Sequence, residues 1–264
     1  ATPDSFHSSS RKKTLESALL TSKDMHNNGA TWIDVGGEST RPGAAEVTIE
    51  EELKRVIPII EEIRKEIPSA LISIDTRKVE VAKKAIKAGA SMINDVSGFR
   101  NKKMMDLAVK YQVAVCIMHM QGEPKSMQDE PKYTDCRKEI YDELKQKASS
   151  LVKRGLPNDL VVLDPGIGFG KNKNHNLELL GNISDLRGIG ETNSPKDGWK
   201  ILWGISRKSL IGEITGKKNT EQRLAGTLAT AAQAHLLGID ILRVHDVDEH
   251  NDFLKVFSEI RGVE

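Results

Sequence analysis

The strongest constraint in this chain is a repeated order: a short apolar run, a polar or glycine-rich motif, then a segment with helical spacing. The apolar runs fall at residues 32–35, 71–74, 92–93, 113–118, 160–163, 201–204 and 241–242. Helical spacing follows each of them, as in Ile49, Leu53, Val56, Ile57, Ile60 and Ile63, or Leu224, Leu228, Ala231 and Leu236. Seven strand-then-helix units predict a parallel sheet with helices packed on it. Nearly every strand ends in charged, amide or glycine residues. In a barrel those ends converge on one mouth, where active sites sit, whereas an open doubly wound sheet spreads them along an edge. The expected fold is therefore an α/β TIM (β/α)8 barrel, a single domain over residues 1–264. An eighth strand is needed, and the chain starts at Ala1 in loop-like sequence (TPDS). The expectation is that the first strand lies just upstream and is missing from this fragment. A barrel without it exposes two sheet edges, so the chain is expected to be poorly soluble or inactive.

Bulk properties exclude several classes. Lys+Arg 39 against Asp+Glu 38 leaves a net charge of +1, which is no footprint for nucleic acid. No apolar run approaches the ~18 residues of a membrane-spanning helix. Cys116 and Cys136 form no CxxC pair; they read as a buried strand thiol and a surface-helix thiol, which suits a reducing compartment.

The stretch LVVLDPGIGFGK, residues 160–171, looks at first like a phosphate loop. Gly170-Lys171 is followed by Asn172, which fails the Walker pattern, and glycines at 166, 168 and 170 fail GxGxxG. The apolar run reads as a buried strand and the glycines as a turn where bare backbone approaches a ligand. Asp164, at the junction, is costly there without a partner. Lys171 reads as a solvated loop charge.

Collected by strand, the mouth carries Arg41, Asp75, Asn94, Met118, Asp164, Lys208, Arg243 and His245. Asp and Asn accept hydrogen bonds from a nitrogen-rich heterocycle, while Lys, Arg and His hold anionic oxygens. Each also has a plainer reading: Asp75 as a helix cap, Asn94 and Asp164 as turn residues, Arg41 as a solvated charge, His245 as a local hydrogen-bonder. Met118 and Met120 read as packing residues, and of adjacent Arg207 and Lys208 at least one is expected to face solvent. One set of strand ends bearing all these groups is harder to explain in plain terms than any one of them.

The ordered motifs TPDSF (2–6), DVGGESTRPGA (34–44), SIDT (73–76), INDVSG (93–98), MHMQG (118–122), DPGIGFGK (164–171), SRKSLIG (206–212) and LRVHDV (242–247) resemble the dihydropteroate synthase family, the sulfonamide targets of folate biosynthesis. The resemblance runs nearly end to end and implies a TIM barrel. It also implies the reaction: 6-hydroxymethyl-7,8-dihydropterin pyrophosphate condenses with p-aminobenzoate to give 7,8-dihydropteroate and pyrophosphate. By the same resemblance Asp75, Asn94, Asp164 and Lys208 hold the pterin, with Met118 and Phe169 near its ring. Arg243 and His245 hold the pyrophosphate, and Phe6, Thr40, Arg41, Pro42 and Ser206 shape the aminobenzoate site. Asp75, Lys208, Arg243 and His245 are the catalytic candidates. By the same resemblance the family's Mg²⁺ is bound through an Asn two residues before the Thr of TPDSF, together with pyrophosphate oxygens. That position falls one residue before Ala1, so no metal ligand is assigned in this chain. The family often forms homodimers and in some eukaryotes is fused to other folate enzymes, which implies a cytoplasmic or mitochondrial location. The alternative is the pterin-binding domain of a methyltetrahydrofolate corrinoid methyltransferase. Such domains share the pterin anchors, but STRPG and SRKS argue against it.

Overall fold

The structure, a computed structural model, describes residues 11–39, 45–123, 126–191 and 194–262. Seven parallel strands follow one another in sequence order across a single sheet. They are β1 (Trp32–Gly36), β2 (Leu71–Asp75), β3 (Met92–Asp95), β4 (Ala114–Met118), β5 (Val161–Asp164), β6 (Lys200–Trp203) and β7 (Ile241–Leu242). Every neighbour pair is parallel, with Gly36 beside Asp75, Asp75 beside Asn94, and Met118 beside Asp164. This is the βα architecture expected of a TIM barrel, with β1 and β7 as the sheet's outer strands among the described residues.

The helices are α1 (Arg11–Asn27), α2 (Ile49–Glu66), α3 (Val79–Ala88), α4 (Lys102–Tyr111), α5 (Cys136–Lys153), α6 (Lys173–Gly181), α7 (Ser209–Thr215), α8 (Leu224–Leu236) and α9 (Val247–Arg261). Local chemistry sets their starts. Thr48, Asn101 and Asp135 each accept a backbone N–H of the first turn through the side chain. Asn172 and His175 close a reciprocal box at the start of α6. Helix α7, which begins within SRKSLIG, was not legible as a helix because it is only seven residues long.

Strand alternation sorts the core into two layers. Ile33, Val35, Ile72, Ile74, Ile93, Val115, Ile117, Leu163 and Ile201 join the helices in the large core outside the sheet. Met92, Ala114, Cys116, Val162 and Leu202 pack together with Trp32 and Ile241 in a smaller interior cluster. Continuing the interior alternation toward the strand ends gives Asp34, Asp75, Asn94, Met118 and Asp164. The barrel is thus apolar at its lower interior and polar at its mouth. At the sheet's outer strands, side chains tie the ends together. Asn251 Nδ2 of α9 donates to the Asn28 carbonyl after α1 at 2.9 Å, and Arg243 reaches Asp34 at 2.8 Å. No helix among the described residues is long and apolar enough to cross a membrane.

Cys116 is fully buried on β4 as expected, but Cys136 is also buried, at 4% exposure. It opens α5 on the face turned to the core, where it packs with Ile140 and Tyr141, so it is not a surface thiol.

Candidate functional site

Four carboxylate and amide side chains and two cations converge at the mouth. Ser73 Oγ and Arg243 Nε both donate to Asp34, the latter at 2.8 Å, and Asn94 Nδ2 lies 3.5 Å from the same carboxylate. Arg243 Nη2 also donates to Asp75 Oδ2 at 3.3 Å. Burial alone raises a carboxyl group's pKa. At Asp34 the Arg243 guanidinium and the Ser73 hydroxyl outweigh burial and hold it below the usual range. At Asp75, burial and the Asp34 charge prevail over Arg243 and push it up to about 7. The adjacent carboxylates therefore differ: Asp34 is the charged partner of Arg243, and Asp75 titrates near neutrality.

Asp164 ends β5 and is 7% exposed. Gly166 N–H donates to its Oδ1 at 2.7 Å, yet burial still raises its pKa against the pull of Lys208. Lys208 Nζ donates to the Ile167 carbonyl at 2.6 Å and sits 4.8 Å over the Phe169 ring. Burial pushes Lys208 down to about 8, with Asp164 opposing the shift. Phe169 packs against Val96, Met118, Met120 and Met127, a flat apolar wall beside the polar groups. Met118 and Met120 are packing residues, as expected, and Met118 also borders the mouth.

The loops after β6 and β7 are laced together. Ser206 Oγ accepts the His245 backbone N–H at 3.2 Å and lies 2.9 Å from His245 Nδ1. Arg207 does not face solvent as a free charge. Its Nε donates to Asp246 Oδ2 at 2.8 Å and its Nη2 to Asp246 Oδ1, a bidentate pair. Arg207 adopts φ +57, a left-handed conformation uncommon for a residue with a side chain. Lys208 and His245 are therefore positioned by neighbours that bind one another.

Of the residues named from sequence, Asp75, Asn94, Met118, Asp164, Phe169, Ser206, Lys208, Arg243 and His245 come to the same end of the sheet. Phe6, Thr40, Arg41 and Pro42 lie outside the described residues. Asp34 was missed as a site residue. Its position on a strand ending in GG was a usable signal, but its partner, Arg243, is not predictable from local sequence. The network behind the first two loops was also missed. Glu52, fully buried on α2, accepts from Thr76 Oγ1 at 2.6 Å and Lys78 Nζ at 2.5 Å, and Lys78 also donates to Glu38 at 2.6 Å. Lys171, expected as a solvated charge, is only 3% exposed and is enclosed by the glycine turn itself.

Among the described residues no group of three or more His, Cys, Asp or Glu is arranged to hold a metal ion. Asp34 and Asp75 are already engaged by Arg243, so the described donor set does not fit a protein-bound Mg²⁺.

The sequence pattern of the family described as "pterin binding enzyme" matches residues 1–245. The dihydropteroate synthase of Escherichia coli K12 is 42% identical over 97% of this chain and 87% of its own length. The structure of Yersinia pestis dihydropteroate synthase with a sulfonamide drug superposes with a TM-score of 0.88 at 38% identity, over 99% of this chain and 92% of that one. That of the Thermus thermophilus enzyme in complex with 4-aminobenzoate gives 0.83 at 38% identity, over 93% and 90%. With a parallel barrel sheet, a carboxylate-rich mouth and these likenesses, the chain belongs to the pterin-binding enzyme family, as a dihydropteroate synthase.

Proposed function

We propose that this chain condenses 6-hydroxymethyl-7,8-dihydropterin pyrophosphate with p-aminobenzoate. The bond from the pterin methylene to the pyrophosphate oxygen breaks, a carbon–nitrogen bond to the aniline forms, and the amine loses a proton. The observation that carries the reading is the convergence of Asp75, Asn94, Asp164 and Lys208 beside the Phe169 and Met118 wall. A pterin has a donor–acceptor edge that carboxylates and an amide match, and a flat face that an aromatic ring and thioethers cover. Arg243 and His245, on the neighbouring loop, would take the negative charge that builds on departing pyrophosphate. Asp75 would stand near positive charge developing on the methylene. The aniline nitrogen is nucleophilic without a strong base, so a general-base triad is not required. Ser206, with Phe6, Thr40, Arg41 and Pro42, is proposed for the aminobenzoate site.

The test is turnover of both substrates by the purified protein, with any native residues preceding Ala1 included. Dihydropteroate formation that a sulfonamide inhibits in competition with p-aminobenzoate supports the reading. Pterin binding without condensation, or indifference to aminobenzoate analogues, overturns it.

We further propose that magnesium enters on the pyrophosphate of the substrate and is not held by the protein alone. Titrating Mg²⁺ calorimetrically should give no heat until pyrophosphate is present; binding to the free chain would contradict this. The two buried free thiols suit a cytoplasmic or mitochondrial setting, which fractionation would check. A homodimer is proposed from exposed Leu236, Val256 and Ile260 on α8 and α9, with a monomer in light scattering as the contrary outcome.

A further inference from the structure

Lys171 lies outside the set of groups just assigned, yet it is among the most enclosed charges in the protein. Its Nζ donates to the carbonyls of Phe169 at 2.9 Å and Gly166 at 3.1 Å, and to His119 Nδ1 at 2.9 Å, with the His119 carbonyl at 3.4 Å. These partners are carbonyls and a ring nitrogen, not carboxylates. The ammonium is therefore bound as a small cation would be, inside the turn that carries Asp164 and Phe169.

The rest of that turn is held in the same manner. Gln128 Nε2 donates to the Gly168 carbonyl at 2.5 Å, Tyr133 Oη to that of Gly170 at 2.7 Å, and Lys208 Nζ to that of Ile167 at 2.6 Å. Each carbonyl from Gly166 to Gly170 thus accepts a side-chain donor, and Lys171 takes two of the five. The turn also lies hard against the loop after β4. A Cβ on Gly166 would come within 1.9 Å of the His119 carbonyl oxygen, and one on Gly170 within 2.7 Å of that of Gln121. The turn and the loop approach this closely where only glycine fits, and Lys171, donating to carbonyls of the turn and of His119, is a side chain that bridges the two.

We propose that Lys171 is a positioning residue for the pterin site, clamping the turn after β5 to the loop after β4 so that Asp164, Phe169 and Met118 present one preformed surface to the ring. The inference rests on the pterin reading of that surface. It explains why a lysine follows the glycines although no phosphate-loop pattern is present.

The surroundings make the clamp sensitive to charge. Cys136 and Glu143 of α5, Asp164 of β5, Lys208 after β6, and His119 are the titratable groups that face or border it. Tyr133 bonds the turn, and Lys147 lies near His119. Burial pushes Lys171 down to about 7. His119 is driven far below the imidazole range by burial and by Lys171, so it is neutral, accepting at Nδ1 with Nε2 3.6 Å from Glu143. A group with its pKa lowered to about 7 loses its proton as pH rises through that value, and the clamp slackens in the same direction.

The decisive experiment measures steady-state kinetics for the wild type, Lys171→Met and Lys171→Arg, with urea midpoints to verify folding. The expected result is a rise of about tenfold in KM for the pterin substrate, an aminobenzoate KM within about twofold of wild type, and partial recovery in Lys171→Arg. A double-mutant cycle with Phe169→Ala should be non-additive, since both act on one surface. If a folded Lys171→Met keeps the wild-type pterin KM, or loses both substrates equally, the proposal is overturned. If Lys171→Met does not fold, Lys171→Gln, whose amide still donates, decides between the same two outcomes. Wild-type turnover in the same assay separates this from the functional reading: no wild-type product refutes the function, whereas normal product with an indifferent Lys171→Met refutes only the clamp.

Discussion

Arg243 donates to Asp34 across 2.8 Å, joining residues 209 apart in sequence and linking the last strand's loop to the first described strand. The same guanidinium reaches Asp75 at 3.3 Å. One cation therefore contacts two carboxylates of different charge, holding Asp34 low while burial and Asp34 raise Asp75, and it is a group proposed to meet pyrophosphate.

Replacing Asp34 with Asn should separate these effects. The Arg243 side chain is 44% exposed, so screening limits the stability of the pair to about 1 kcal/mol. The expected loss of stability is of that order, read from denaturant midpoints. Because the Asp34 charge is among the causes that raise Asp75, the Asp75 titration should move to lower pH, visible by carboxyl NMR. An unchanged Asp75 titration would mean that burial alone sets it.

Activity should follow a narrow bell in pH. Asp75, raised to about 7, gains its charge as pH rises, and Lys208, lowered to about 8, loses its charge just above. The expected kcat/KM climbs as Asp75 ionises and falls as Lys171, at about 7, and then Lys208 lose their protons, and Asp75→Asn should remove the acid limb while lowering kcat about a hundredfold. The sign for stability is opposite. The native state holds the Asp75 proton more tightly than the unfolded chain, so between about pH 4 and 7 this group makes the free protein less stable as pH rises. Melting temperatures of Asp75→Asn and wild type should diverge over that interval, with the variant gaining.

Gly166→Ala should be severe. The position has φ +67, and the new Cβ would stand 1.9 Å from a backbone oxygen that cannot rotate away. Strain of this kind costs about 1–3 kcal/mol before the clash is counted. Gly216→Ala, at φ +72 with open space around it, is the control and should cost about 1 kcal/mol. Equal thermal shifts in the two variants would remove the steric argument.

The Arg207–Asp246 pair should act on kcat without touching substrate. Asp246 is 9% exposed at its side chain and Arg207 27%, so the bidentate pair is only partly screened. Arg207→Ala and Asp246→Asn are each expected to lower kcat/KM about tenfold. A double-mutant cycle should show coupling of about 1 kcal/mol or more. Simple additivity would show that the loops after β6 and β7 are positioned independently.

Much of this protein was written locally. Apolar runs such as residues 161–163 and 114–118 specify buried parallel strands because both faces are covered, and helical spacing specifies what packs on them. Strand alternation then dictates that Asp34, Asp75, Asn94 and Asp164 share the interior face at one end. That is why the candidate site, apart from Asp34, could be collected from strand termini alone.

What sequence could not supply was the identity of partners. Lys171 looked like a solvated charge because its acceptors are backbone carbonyls, which no side-chain pattern marks. Cys136 looked exposed because the face a helix turns inward depends on its docking. Asp34 and Arg243, and Arg207 and Asp246, meet only once the loops of different strands are brought to one mouth. Periodicity along the chain determines which face is buried, since that is a matter of local geometry. Which charge neutralises which is decided only by tertiary structure, because Coulombic and hydrogen-bond energies depend on distances that the folded barrel alone makes short.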